Sequence, residues 1–167
     1  AKTMFTCSSH DYIMFFTSLG KAYRLKGYEI PEGSRSSKGM NVVNILPITS
    51  DEKITSMIRV PHFRDEDNFY LCMLTKQGII KRTPLNAYKN IRKSGILAIN
   101  LDEGDELLFT RLTKGDASLL IATHNGMAVR FDETNIRAMG RAARGVKGIR
   151  LDKGDYITGI TTVDEDK

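Results

Sequence analysis

With 167 residues, 41% of them hydrophobic, the chain can bury the core of one domain or of a short repeat array. Its 25 Lys+Arg outweigh 20 Asp+Glu, for a formal net charge of +5 that is compatible with nucleic acid. No apolar run approaches a bilayer span and no signal-peptide pattern opens the chain, so the cytoplasm is expected and a membrane is not.

In chain order, residues 4–8 read as a strand, and residues 12–16 form a second apolar run that ends at Thr17-Ser18-Leu19-Gly20. Leu19-Gly20 suits a tight hairpin turn, in which Gly supplies a positive φ. The returning strand then alternates, Tyr23 and Leu25 on one face, Arg24 and Lys26 on the other. A cationic segment follows, Arg35-Ser36-Ser37-Lys38-Gly39, then an apolar strand at 42–46, the polar turn Ser50-Asp51-Glu52, and a new strand from Ile54. Residues 61–68 read as an exposed loop.

The same order then recurs twice. Residues 69–74 lead to Gln77-Gly78, Arg92-Lys93-Ser94-Gly95, an apolar strand at 96–101, the acidic turn 102–105 and a strand from Leu107. Residues 119–122 lead to Asn125-Gly126, Arg144-Gly145-Val146-Lys147-Gly148, an apolar strand at 149–151, the acidic turn 152–155 and a strand from Ile157. Thr17, Thr75 and Thr123 stand at one place in the three units; Arg24, Arg82 and Arg130 stand at another. The period is roughly 50 residues with about four strands, the pattern of a propeller-like blade. Units are expected at approximately 3–53, 54–106 and 107–156, with 157–167 beginning a next unit or forming a terminal strand. No segment holds a helical apolar period, so the chain is expected to be all-β: an array of about three four-stranded blades.

Charge follows the same phase. Lys76, Lys81, Arg82, Lys89, Arg92 and Lys93 fall in one stretch without an acid, as do Arg137, Arg141, Arg144, Lys147 and Arg150 in another. Lys21, Arg24, Lys26, Arg35 and Lys38 form the first-unit set, against Glu29 and Glu32. Most acids lie in the opposite phase, at 51–52, 65–67, 102–106, 152–155 and 164–166. Repeats packed side by side then build one basic band, which suits the phosphates of duplex DNA. The candidate DNA-binding residues are Arg24, Lys26, Arg35, Lys38, Lys81, Arg82, Lys89, Arg92, Lys93, Arg130, Arg137, Arg141, Arg144 and Lys147. A competing structural role for the Arg of each hairpin is to pair across strands and set register.

The stretches Asp11-Tyr12-Ile13-Met14-Phe15-Phe16-Thr17, Tyr23-Arg24-Leu25-Lys26-Gly27-Tyr28-Glu29-Ile30-Pro31-Glu32 and the run from Arg137 through Leu151 closely resemble the C-terminal domain family of DNA gyrase A. The resemblance runs through the whole chain and favours gyrase over its topoisomerase IV relative. It implies a β-pinwheel, a propeller-like disc whose blades share strands and whose basic outer rim wraps DNA in support of negative supercoiling. It also implies as partners duplex DNA, the remainder of gyrase A and gyrase B, in a parent of the ATP-dependent type II topoisomerase class. That family's basic box, of the Gln-Arg-Arg-Gly-Gly-Lys-Gly type, is not found here; Arg35 to Gly39, Arg92 to Gly95 and Arg144 to Gly148 look like degenerate counterparts. The chain, opening at Ala1, is expected to be an excised middle portion of roughly three of the six blades.

An enzymatic role finds no support in the residues. His10, His62 and His124 are dispersed, Tyr12, Tyr23 and Tyr70 suit a core, and no phosphate-loop motif occurs. The acids at 65–67 and 102–105 lack a calcium-loop pattern and read as solvated turns, so neither metal nor other cofactor is expected. Cys7 and Cys72, inside apolar stretches, read as buried reduced thiols. The alternative to DNA binding is a propeller-like protein-interaction module. Self-association is a further expectation, through strand edges at 4–8 and 157–163.

Overall fold

The computed structural model describes residues 12–26, 47–60 and 69–163. The expectations placed on 4–8, Cys7, His10, Arg35, Lys38, the strand at 42–46, the loop at 61–68 and the acids at 164–166 lie outside the described residues.

Each apolar run flanking a turn glycine becomes one arm of a hairpin: β1 (Tyr12–Thr17) with β2 (Lys21–Lys26), β4 (Tyr70–Thr75) with β5 (Ile79–Pro84), and β8 (Ser118–Thr123) with β9 (Ala128–Asp132). A strand from the next phase of the repeat pairs with each first arm: β3 (Ile54–Val60), β7 (Leu107–Thr113) and β11 (Ile157–Val163), all antiparallel. Two short strands close the outer edges, β6 (Ile96–Leu97) and β10 (Val146–Lys147). The sheet orders are β3-β1-β2-β6, β10-β5-β4-β7 and β11-β8-β9. Thus β6 follows the second hairpin in sequence but pairs with the first, through Ala22↔Ile96 and Lys21↔Leu97. In the same way β10 follows the third hairpin and pairs with the second, through Ile80↔Val146 and Ile79↔Lys147. The described residues are all-β; their only helical pieces are single 3-10 turns at Leu85–Tyr88 and Glu133–Asn135.

Continuous apolar strands arise where both sheet faces are covered. From β1, Met14 and Phe16 join Leu71 and Met73 of β4 in one core, while Ile13 and Phe15 pack with Tyr23 and Leu25 in another. From β4, Cys72 and Leu74 turn the other way, toward Leu119, Ile121 and Ile157 of the third sheet. Strand β8 is as apolar as these, yet Leu120 is exposed between the buried Leu119 and Ile121.

The strands expected at 96–101 and 149–151 are shorter or displaced, for one shared reason. The Gly20 carbonyl accepts the N–H groups of Ala98 and Ile99, and the Gly78 carbonyl accepts those of Gly148 and Ile149. Each bond pair draws the chain off the ladder toward the preceding hairpin turn, so Ile149 is buried as a core residue and not as a strand residue. At Gly78 (φ +91) a Cβ would lie 2.7 Å from the Ile149 carbonyl oxygen, so the turn excludes side chains twice over.

The acidic turns are not merely solvated. Asp105 is buried, and its Oδ1 accepts the Gln77 N–H at 3.0 Å. Asp155 Oδ1 accepts the Asn125 N–H at 2.9 Å, and Glu52, also buried, accepts the Thr17 hydroxyl. Glu52 thus holds its hairpin through the Thr17 and Tyr23 hydroxyls, while Asp105 and Asp155 cap the turns of the hairpins they pack beside. Orphaned turn N–H groups near the surface are satisfied in this way. It gives the segregation of acids a structural cause.

Candidate nucleic-acid interface

The expected cations separate into three environments. The Arg of each hairpin is held by a ring or hydroxyl of its own hairpin and, for Arg24 and Arg82, also by a group of the following repeat. Arg24 lies 4.7 Å from the Tyr12 ring centroid and donates to the Lys89 carbonyl at 2.8 Å. Arg82 repeats the arrangement over Tyr70, at 4.5 Å, and its Nη1 reaches the buried Glu133 carboxylate at 3.5 Å. Arg130 is exposed, with Nε donating to the Ser118 hydroxyl across the hairpin at 2.9 Å. Cation–π stacking and cross-strand bonding thus organise the blades themselves. Lys26, at the end of β2, is half-buried.

Lys81 departs most from the expected surface set. It is fully buried, and its ammonium donates to the Ala98 carbonyl at 2.6 Å and to the Arg141 carbonyl. The alternation of β5 does not reveal this, because residues on both faces of the second sheet are buried. Burial, and after it the Arg141 guanidinium, pull the Lys81 ammonium from 10.5 down to about 7. An unfolded chain with an ordinary lysine keeps that proton well above pH 7, so raising the pH favours the folded state. Wild type should gain on the order of 3 kcal/mol between pH 7 and 9.5 relative to Lys81→Met, at 1.36 kcal/mol per pKa unit. Urea melts of both proteins at the two pH values check this.

The third environment is the loops that lead into the two edge strands. Lys89, Arg92 and Lys93 are exposed on the stretch before β6; Arg137 and Arg144 are exposed and Arg141 half-buried on the stretch before β10, which carries the exposed Lys147. Hydrogen bonds fix the second stretch against β5, β6 and the segment that follows β6. The Met139 N–H donates to Arg82 O at 2.8 Å, the Asn100 N–H to Ala143 O at 3.2 Å, and Arg141 Nη1 to Leu97 O at 2.9 Å. The second loop therefore runs from β5, past the edge strand β6, to the segment behind it. Gly145 (φ +98) allows its close approach: a Cβ there would sit 2.6 Å from the Ile80 carbonyl oxygen.

Arg144 is already engaged. Its Nε and Nη2 form a fork on Asp102 at 2.5 and 2.8 Å, which holds the Asp102 carboxyl below its ordinary range. A phosphate would have to replace that carboxylate, and its geometry matches the same fork. Among the described residues no cluster of His, Cys, Asp and Glu could hold a metal ion, and no helix is long and apolar enough to cross a membrane.

Glu133 is the organising residue that sequence patterning misses. Fully buried, it accepts the Thr113 hydroxyl at 2.9 Å and the Ala117 N–H at 2.7 Å, besides the Arg82 contact. Burial and, second, this carboxylate push the neighbouring Cys72 thiol up to about 12, which keeps it protonated. Leu85 fills the same place in the preceding repeat: its N–H bonds Phe69 O as that of Glu133 bonds Ala117 O. That correspondence with a buried leucine is the one available signal.

Comparison with known proteins agrees with this architecture. The family profile described as the DNA gyrase C-terminal domain, beta-propeller, matches residues 11–61, 70–114 and 117–164. The DNA gyrase A protein of Halalkalibacterium halodurans is 53% identical over 87% of this chain, and that of Clostridium acetobutylicum 51% over 88%. The chain spans only 17% and 18% of those two proteins. Among solved structures, the C-terminal domain of DNA topoisomerase IV superposes with a TM-score of 0.84 at 35% identity, covering 94% of this chain and 48% of that one. A DNA gyrase A C-terminal domain gives a TM-score of 0.75 at 24% identity, covering 95% and 50%.

Proposed function

The chain belongs to the DNA gyrase C-terminal domain family, and from that premise we propose that it binds duplex DNA along its cationic edge loops and bends the duplex round them. One observation carries the proposal: the loop before β10, with Arg137, Arg141 and Arg144, is fixed against β5, the edge strand β6 and the segment after it, and β6 itself is entered from the stretch with Lys89, Arg92 and Lys93. Cations at this spacing gain affinity by releasing counterions from phosphates. Single 3-10 turns are too short to read a major groove as a recognition helix does, so recognition is of backbone and shape. Bending a 20–30 bp site costs on the order of 1–6 kcal/mol, which several added phosphate contacts offset.

The wider role follows from the relatives, whose names place them in gyrase. In a whole protein of that kind, a wrapped duplex would support negative supercoiling by a type IIA topoisomerase. The remainder of gyrase A and its companion gyrase B would be its partners.

Ligation of a nicked circle in the presence of the protein tests the bending directly. A linking-number shift that grows with protein concentration is expected. Binding without any shift would reduce the function to adhesion.

A further inference from the structure

We propose that Lys81 is a positioning residue for this interface: it touches no DNA, but fixes the loop bearing Arg137, Arg141 and Arg144 against the edge strand β6. The inference rests on the DNA-binding function proposed above. Lys81 joins three parts of the chain, since it projects from β5 to the Ala98 carbonyl, just past β6, and to the Arg141 carbonyl in the loop before β10. The Tyr88 hydroxyl bonds the same Ala98 carbonyl at 3.1 Å, so that oxygen anchors both groups.

The repeat shows that the sheet itself needs no amine here. The residue paired with Phe15 in the first hairpin is Tyr23, the one paired with Met73 in the second is Lys81, and the one paired with Ile121 in the third is Val129. Tyr23 packs its ring beneath Gly95, as the Lys81 Cβ packs beneath Gly145. An aromatic or aliphatic side chain thus serves the fold at this place, and a buried amine costs free energy that an apolar residue does not. What lysine adds is two N–H bonds, one of them to the loop. The groups that face it are the Arg141 guanidinium and the Tyr88 hydroxyl, and no carboxylate is among its hydrogen-bond partners. An amine that sheds its third proton near neutral pH still keeps a donor for each of its two carbonyls.

The test compares Lys81→Met and Lys81→Gln, each alone and combined with R137A/R144A. Short-duplex affinity is measured across a salt series, alongside thermal melts and amide exchange at Asn100 and Ala143. Lys81→Met should bind about three- to tenfold more weakly with a flatter salt slope, exchange faster at both amides, and lose nothing further in the R137A/R144A background. Lys81→Gln, which keeps donors on a shorter stem, should fall between. A purely structural lysine would lower the melting temperature while leaving affinity, slope and local exchange of the folded protein unchanged; that result overturns the proposal. Equal losses in both backgrounds overturn it too, as does failure of both variants to fold. If wild type binds no duplex, the DNA-binding function fails, and unchanged exchange at Asn100 and Ala143 would then separately dismiss the positioning role.

Discussion

Replacing Arg92, Lys93, Arg137 and Lys147 together with alanine should weaken duplex binding on the order of 100-fold near 0.1 M salt, with equal effect on unrelated sequences. All four side chains are exposed on the loops and edge strand that adjoin β6 and β10. None belongs to a hairpin core, so thermal stability should stay within about 0.5 kcal/mol of wild type, as for ordinary surface positions. If each contacts one phosphate, the log–log salt slope should flatten by roughly 3 to 4 units, at about 0.9 per contact. Anisotropy titrations on two duplexes of different sequence measure both quantities. Lys81 and Arg82 are poor choices for such a test despite their place in the basic run. One is buried under the loop, and the other stacks on Tyr70 beside Glu133.

The largest single-residue effect on stability is expected at Glu133. Glu133→Ala removes the acceptor for the Thr113 hydroxyl and the Ala117 N–H and leaves Arg82, with only 13% of its side chain exposed, without its carboxylate. Breaking one side of a buried pair costs about 3–5 kcal/mol, a large share of the roughly 5–15 kcal/mol that holds a domain folded. Glu133→Gln preserves shape and one acceptor and should cost distinctly less. Glu133→Leu is a sharper comparison, since the preceding repeat has Leu85 at this place. If leucine restores most of the stability, filled volume is what the site needs; if it does not, the carboxylate matters through the Arg82 it neutralises. Urea unfolding of the three variants ranks them.

The hairpins are legible in the sequence because their signals are local. Gly20, Gly78 and Gly126 all take the positive φ that their turn positions suggest, and the strands expected from Ile54, Leu107 and Ile157 start at those residues. The exchange of β6 and β10 between successive repeats is not legible from period or composition, because a strand of two residues carries no alternation to read. Only the resemblance to a family with shared strands anticipates it. Lys81 and Arg82 fall among the expected surface cations for a related reason: with both faces of the second sheet buried, parity along β5 does not separate inside from outside. The acids at 102–105 read as solvated, whereas Asp105 caps the hairpin turn at Gln77, as Asp155 does the turn at Asn125. Such pairs lie about 30 residues apart, and local patterning holds no trace of them.

The basic phase of the repeat is the central claim, and the salt dependence of duplex binding by the unmodified chain tests it most directly. The account predicts tight binding at low ionic strength that weakens with a slope of several units, near 0.9 for each phosphate engaged, and little difference between sequences. Undetectable binding at low salt, or an affinity indifferent to salt, would contradict it.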